Sequence, residues 1–99
     1  MMISNETKRE IIRTARFRKD FKLSKKQGKD MSKAAEVINK LANDEPLEAK
    51  HRDHQLHGDQ KDFRECHITP DWLLLYKKTD DGELVLTLSR LSSHNNLKF

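Results

Sequence analysis

Histidines are concentrated in one stretch of the chain, Lys50–Trp72. Four of the five histidines lie in it and the fifth is near the C-terminus; they are His51, His54, His57, His67 and His94. Aspartates and arginines are interleaved with them. The unperturbed pKa of histidine, about 6.5, lets the side chain exchange protons near neutrality. Histidines beside cationic side chains therefore predict general acid–base chemistry on a charged substrate.

RNA cleavage is one reaction that such a set supports. The 2′-hydroxyl attacks the neighbouring phosphate, a base takes its proton, an acid protonates the departing 5′-oxygen, and a cation stabilises the phosphorane. Each positioned proton-transfer group contributes about 10²–10⁴-fold, and no metal is needed. The candidate proton carriers are His54, His67 and His94, with Asp71 to orient one of them or act itself, and Arg64 or Arg90 to bind the phosphate.

Two other interpretations of the same residues stay open. His51, His54 and His57 recur every three residues and Cys66 follows, all ligand types for zinc. However, no CxxC or HExxH pair anchors that pattern. The histidines, above all His51 and His57, also fit ordinary loop and strand positions, and Asp71 fits a turn. A cysteine nucleophile has little support, because Cys66 and its neighbour in sequence, a histidine, point to opposite faces of a strand.

The composition indicates one small domain. The chain has 99 residues, a net charge of +4 and a single cysteine, and no run of about 18 apolar residues or secretory signal is visible. We therefore expect a cytoplasmic protein without a membrane span or an intramolecular disulfide. Residues 1–33 carry eleven lysines and arginines against four acidic residues. This basic third fits either a nucleic-acid interface or a solvated helix face.

Hydrophobic periodicity predicts an α+β fold in the order β-α-α-β-β-β, a two-helix hairpin packed on a small antiparallel sheet. Residues 1–10 are expected to form a flexible extension, and residues 11–99 a single domain. Thr14 and Asp30 are candidate helix N-caps, and Gly28 is placed to end the first helix. The predicted strands are Ile11–Arg16, Asp62–Ile68, Trp72–Lys77 and Leu84–Arg90; the second helix runs to about Asn43, and 47–61 is predicted to be a loop.

Several motifs resemble the YafQ-like branch of the RelE/ParE toxin superfamily. They are Lys29-Asp30-Met31-Ser32, Glu45-Pro46-Leu47, Arg52-Asp53-His54 with Leu56, Phe63-Arg64-Glu65-Cys66-His67-Ile68, Pro70-Asp71-Trp72 and Tyr76. The resemblance spans about Ile11 to the C-terminus. It implies two helices on an antiparallel sheet and a toxin of a type II toxin–antitoxin pair. Such a toxin cuts mRNA in the ribosomal A site and is silenced by a small antitoxin, in a hetero-oligomeric complex that binds DNA through the antitoxin.

The resemblance also assigns roles to residues. It implies that the catalytic set is His54, His67, Asp71 and His94, with Trp72 beside it and Phe99 available to stack on a base. No metal or other cofactor is implied. The chain departs from the family pattern at three places: Leu91-Ser92 replaces Thr-Gly before the last histidine, Gln55 replaces a proline, and the closing phenylalanine comes one residue later. None of these changes removes a proton-carrying group.

The basic first helix has a place in this hypothesis. Lys19, Lys22 and Lys26 are expected to contact rRNA and mRNA phosphates without reading sequence. The alternative within the superfamily is a non-enzymatic toxin of the ParE kind, which binds DNA gyrase. A pure binder has no use for several histidines and an aspartate at one end of a sheet, so the histidines favour the ribonuclease.

Overall fold

The computed structural model describes residues 6–93, which form two helices and five strands. The elements are β1 Glu10–Arg13, α1 Ala15–Lys26, α2 Met31–Ala42, β2 His54–Gln55, β3 Arg64–Thr69, β4 Trp72–Thr79 and β5 Val85–Ser93. The predicted order of the long elements is confirmed. The segment 47–61, predicted to be a loop, also contains β2 and the single 3₁₀ turns Ala49–His51 and Gly58–Gln60. No helix among the described residues has the length and apolar character needed to cross a membrane.

Local chemistry sets the ends of both helices. Thr14 caps α1 by accepting from the Phe17 N–H at 3.1 Å, and Asp30 caps α2 by accepting from the Ser32 N–H at 3.1 Å. Two residues after the end of each helix lies a residue with left-handed backbone geometry, Gly28 (φ 77°) and Asp44 (φ 55°). In both cases the N–H of this residue and the N–H of the residue after it donate to carbonyls of the last turn, which satisfies the helix end.

The sheet is mixed, with strand order β1-β5-β4-β3-β2. The strands β2 to β5 pair antiparallel, as tight connections require. The strand β1 pairs parallel with β5 at the edge, with Ile11 opposite Leu86. The predicted fold class and the antiparallel pairing of the last three strands are confirmed, and the parallel edge pair makes the sheet mixed. A parallel pair needs a long crossover connection, and the two helices lie in the connection that follows β1. The other four strands of the sheet come after the helices in sequence.

The core lies between one face of the sheet and the helix pair. Alternate residues of β3, β4 and β5 pack there against α1 and α2; the fully buried members include Phe17, Ile38, Cys66, Trp72, Leu74, Tyr76, Leu86, Leu88 and Leu91. Cys66 and Ile68 point into this core, as the alternation predicts. Glu65 and His67 consequently point to the other face of β3.

Arg9 shows that the domain begins before residue 11. Its side chain is 7% exposed, and its guanidinium contacts Asp44 at 2.6 Å and Asp80 at 2.7 Å. The backbone N–H of Arg9 also donates to the carbonyl of Ala42 at 2.8 Å. The expected flexible extension over residues 1–10 is therefore wrong for Arg9 and Glu10, because an ion-pair cluster and β1 hold them. Residues 1–5 lie outside the described part of the chain.

Candidate active site

Two of the predicted proton carriers share the sheet face opposite the helices. His54 on β2 lies directly opposite Glu65 on β3, and His67 follows Glu65 by two residues on the same strand. Residues opposite each other, and residues two apart on a strand, point to the same side. Leu73 and Leu75 of β4 lie next to them in register, opposite His67 and Glu65. We call this surface, carrying His54, Glu65, His67, Leu73 and Leu75, the histidine face.

His54 is held by its backbone surroundings but remains accessible. Its side chain is 49% exposed. Its Nδ1 lies 2.7 Å from the carbonyl oxygen of Arg52, whose left-handed backbone (φ 46°) turns the chain there. A carbonyl can only accept, so Nδ1 carries a proton in this bond. Its Nε2 lies 3.5 Å from a carboxylate oxygen of Glu65. Both ring nitrogens therefore face acceptors.

His67 is half-buried near the end of β3. Its Nδ1 lies 3.2 Å from the carbonyl oxygen of Pro70, so Nδ1 is the protonated nitrogen in this bond as well. A register irregularity between His67 and Thr69 bends the strand at this point. The neutral ring then carries its lone pair on Nε2. This nitrogen is the one available to take a proton.

His51 is hydrogen-bonded to the backbone of His67. It is 8% exposed, and its Nδ1 donates to the carbonyl oxygen of His67 at 2.7 Å. The bond ties the 3₁₀ turn Ala49–His51 to β3 just before the irregularity. His57 is exposed. The interpretation of His51 as an ordinary structural histidine thus agrees with its contacts, although a sequence offers no signal for a bond to a carbonyl sixteen residues away.

Asp71 lies in the two-residue connection between β3 and β4, and it is exposed. This position is close in sequence to His67, at the same end of β3. Both the turn and the catalytic interpretation remain compatible with it. His94 and Phe99 lie outside residues 6–93, so the part of the site predicted from the C-terminus is not among the described residues.

The structure does not bring Trp72 to the histidine face. The side chain is 1% exposed, it belongs to the core, and its indole N–H donates to the hydroxyl of Ser24 at 3.2 Å. A ring enclosed in this way has no surface on which a base can stack. This burial gives no support to the expectation that Trp72 binds substrate, which stays a prediction; in this structure the ring packs α1 against β4.

Arg64 and Arg90 are both engaged elsewhere. Arg64 projects from the opposite face of β3 and contacts Asp53 and the Tyr76 hydroxyl through Nε, each at 3.3 Å. Burial lowers the pKa of Arg64, but bonds to Asp53 and Tyr76 raise it overall. Arg90 donates through Nε to Asp20 at 2.8 Å. Arg90 lies opposite Leu75 in the register of β4 and β5, so it is a neighbour of the histidine face. Both arginines are paired with carboxylates in this structure, and a phosphate contact by either one stays a prediction.

Two further groups are excluded from proton transfer by burial. Burial, with the charge of Asp53 next, raises the pKa of the Cys66 thiol far above neutrality. Burial and a 2.5 Å hydrogen bond to Asp53 raise the pKa of Tyr76 as well, so its hydroxyl stays a neutral donor. Within residues 6–93, no three or more His, Cys, Asp or Glu side chains are grouped so that they could hold a metal ion.

The basic side chains predicted on α1 are at the surface. Lys19, Lys22 and Lys26 are all exposed. A groove of about 320 Å³ adjoins them, lined by Arg13, Phe17, Arg18, Phe21 and Lys22. Its walls are aromatic and its rim is cationic. This surface is separate from the histidine face, because α1 packs on the other side of the sheet.

Solved structures with the same fold define the class of protein. The structure of the toxin–antitoxin complex DinJ-YafQ from Escherichia coli contains a chain that matches with a TM-score of 0.83 and 38% identity, over 93% of this chain and 99% of that one. A copper-bound mutant toxin from Helicobacter pylori matches with a TM-score of 0.82 and 43% identity, over 89% and 97% of the two chains. The fold is therefore that of small bacterial toxins.

The particular family follows from the sequence comparison. Residues 9–98 match the family model for the bacterial toxin of the type II toxin–antitoxin system, YafQ. The mRNA interferase toxin YafQ of Escherichia coli K12 is 39% identical over 87 residues, which cover 87% of this chain and 91% of that protein. The chain belongs to the YafQ family of type II toxin–antitoxin toxins, and the resemblance noted in its motifs is confirmed.

Proposed function

We propose that the chain is an endoribonuclease that cleaves mRNA on translating ribosomes, without a metal, using the 2′-hydroxyl of the RNA as nucleophile. The observation that carries this proposal is the placement of His54 and His67 on adjacent strands of one sheet face. Diagonal neighbours of this kind are typically about 7–8 Å apart, which leaves space for a phosphodiester between two proton-transfer groups. The mRNA interferase activity of the Escherichia coli relative supports it.

The proposed catalytic set is His54, His67, Asp71 and His94. Two of its members transfer protons to and from the reacting oxygens, each contributing about 10²–10⁴-fold. Since Arg64 and Arg90 are engaged by Asp53 and Asp20, we propose that a protonated histidine of the set or a rearranged Arg90 supplies positive charge for the phosphorane.

Ribosome dependence is proposed from the charge on α1. Exposed lysines on a small domain bind nucleic-acid phosphates without reading sequence, and such binding weakens as salt rises. Lys19, Lys22 and Lys26 are exposed and lie away from the histidine face. They can therefore hold rRNA while the histidine face holds mRNA. Action on translating ribosomes places the protein in the cytoplasm.

A cognate antitoxin is the proposed partner, in a hetero-oligomeric complex that binds DNA through the antitoxin. The matched Escherichia coli chain was solved with DinJ, which supports this assignment. The groove beside α1 suits an acidic segment with apolar anchors, because Phe21 lines it and cations form its rim. A partner seated there would cover Arg18 and Lys22 and so block ribosome docking. We expect Arg18→Glu to weaken co-purification of the co-expressed antitoxin, and unchanged recovery would exclude the groove.

The cleavage proposal is tested by adding purified protein to ribosomes that are translating a defined mRNA and mapping the cuts by primer extension. His67→Ala and His94→Ala are expected to reduce cutting by at least about 100-fold. The matched control is His57→Ala, which changes an exposed histidine outside the site. A 2′-deoxy nucleotide at the scissile position should abolish cutting. Cleavage of the deoxy substrate, or equal losses for all three variants, would refute the mechanism.

A further inference from the structure

Glu65 is a buried carboxylate for which the proposed catalytic set has no role. The residue is 8% exposed, and its side chain is 10% exposed. A carboxylate removed from water in this way is costly unless a donor or a cation faces it. On the histidine face that group is His54, whose Nε2 lies 3.5 Å from Glu65 Oε1. The placement points to a link between Glu65 and the protonation of His54.

Both ring nitrogens of His54 face oxygen acceptors. A neutral imidazole has one N–H, and the bond to the Arg52 carbonyl at 2.7 Å uses it at Nδ1. The lone pair on Nε2 would then face the Glu65 carboxylate. Only the imidazolium presents a proton to both acceptors. Of the other charged groups close to His54, Asp53 and Arg64 are paired with each other at 3.3 Å, and Arg52 is exposed to solvent.

His67 has the opposite environment. Its Nδ1 donates to the Pro70 carbonyl at 3.2 Å. Its Nε2 therefore keeps a lone pair when the ring is neutral. Glu65 lies two residues away on the same strand face, at roughly 7 Å between α-carbons by strand geometry. The charged group on the other side is Asp71, in the exposed turn after β3.

We propose that Glu65 is a positioning residue that holds His54 as an imidazolium, which makes His54 the general acid and His67 the general base. This inference rests on the proposed function. The 2′-oxygen forms a bond to phosphorus as its proton passes to His67 Nε2. The bond from phosphorus to the 5′-oxygen breaks as His54 Nε2 gives that oxygen its proton. The products are a 2′,3′-cyclic phosphate and a 5′-hydroxyl.

The geometry suits proton donation by His54. The 3.5 Å separation from Glu65 is longer than an ordinary N–H···O bond, so the carboxylate attracts the Nε2 proton without enclosing it. About half of the His54 side chain is exposed, so the leaving oxygen can reach it. In this arrangement the Glu65–His54 pair protonates the leaving 5′-oxygen. His67 takes the proton of the 2′-hydroxyl.

The decisive experiment uses two mRNAs on translating ribosomes, one with a normal scissile phosphate and one with a 5′-bridging sulfur. A thiolate leaves without needing a proton, so loss of the general acid matters little on the sulfur substrate. We expect His54→Ala and Glu65→Gln to lose at least about tenfold in kcat on the normal mRNA, with KM changed less than about twofold. Both should cut the sulfur substrate within about threefold of wild type, whereas His67→Ala should remain impaired on it.

The outcomes separate the two proposals. If wild-type protein cuts neither mRNA, the proposed function itself fails. If wild type cuts both and Glu65→Gln stays impaired on the sulfur substrate, Glu65 does not serve the general acid and the inference is overturned. Glu83→Gln, at an exposed glutamate in the β4–β5 connection, is the matched control and should be unaffected.

A second measurement needs no variant and therefore does not depend on whether Glu65→Gln folds. The ¹⁵N chemical shifts of the histidine rings in wild-type protein at pH 7 distinguish protonated from unprotonated nitrogens. We expect both nitrogens of His54 to be protonated, and His67 to have a proton on Nδ1 alone. A His54 ring that carries a single proton at pH 7 would overturn the assignment.

Discussion

Replacement of Asp44 by asparagine tests the ion-pair cluster that fastens the start of the domain. Asp44 accepts from Arg9 at 2.6 Å and from Lys78 at 2.8 Å, and it joins the end of α2 to β4 and to the residue before β1. Asparagine keeps the size and tolerates the left-handed backbone at this position. The substitution therefore removes the charge with little other disturbance.

The size of the effect follows from the pKa of Asp44. The hydrogen bond from Arg9, followed by that from Lys78, lowers this pKa from 3.8 to about 2. A shift of this size corresponds to somewhat over 2 kcal/mol at 1.36 kcal/mol per unit. The side chain is 26% exposed, so solvent screening reduces the expected loss to about 1–2 kcal/mol.

The loss should depend on pH in a defined direction. Because the folded pKa is depressed, the stabilisation is fully present above the unfolded value near 3.8 and disappears as pH falls through about 2. Urea unfolding followed by circular dichroism at several pH values between 7 and 2 measures it. We expect wild type and Asp44→Asn to differ by about 1–2 kcal/mol from pH 7 to 5 and to converge toward pH 2.

Asp81→Asn, at an exposed aspartate in the neighbouring hairpin connection, is the control and should change stability by less than about 0.5 kcal/mol. Two results would refute the reasoning. One is a difference between wild type and Asp44→Asn that persists unchanged to pH 2. The other is a loss at pH 7 no larger than that of the control.

Three further predictions concern core and surface residues. Trp72→Phe removes the indole donor and should lower the free energy of unfolding by about 1–2 kcal/mol while cleavage per folded molecule stays within about twofold of wild type; a loss of about 100-fold would restore a substrate role. Tyr76→Phe deletes the donor to Asp53 and should cost about 1–2 kcal/mol in urea unfolding at pH 7, where the hydroxyl is protonated; an unchanged midpoint would contradict this. The double variant Lys19→Ala and Lys22→Ala should reduce ribosome affinity and flatten its salt dependence in co-sedimentation, and binding that is independent of salt in wild type would exclude this docking surface.

Features that depend on near neighbours in sequence were predictable. The caps at Thr14 and Asp30, the left-handed end at Gly28 and the alternation in β3 are all confirmed. The continuously apolar run from Trp72 predicted a buried central strand, and that is what β4 is. The family-based expectation of a substrate contact at Trp72 set this local evidence aside, and the burial of the ring gives it no support.

Features that depend on distant partners were not predictable. Arg9 is anchored by Asp44 and Asp80, which are 35 and 71 residues away, and nothing near Arg9 in sequence marks that burial. Arg90 is likewise held by Asp20 across 70 residues. On the histidine face, the alternation of β3 placed Glu65 and His67 together. The pairing of Glu65 with His54 depends on the register of a two-residue strand, which has no periodic pattern.

The parallel pairing of β1 with β5 has a consequence for synthesis of the chain. Ile11 and its partner Leu86 are far apart in sequence, so β1 has no neighbour in the sheet until synthesis has passed β5. Closing so long a loop also raises the contact order, which slows folding. A ribosome making this protein is thus not exposed to a folded toxin domain until translation has passed β5, and chains terminated before β5 cannot complete the sheet.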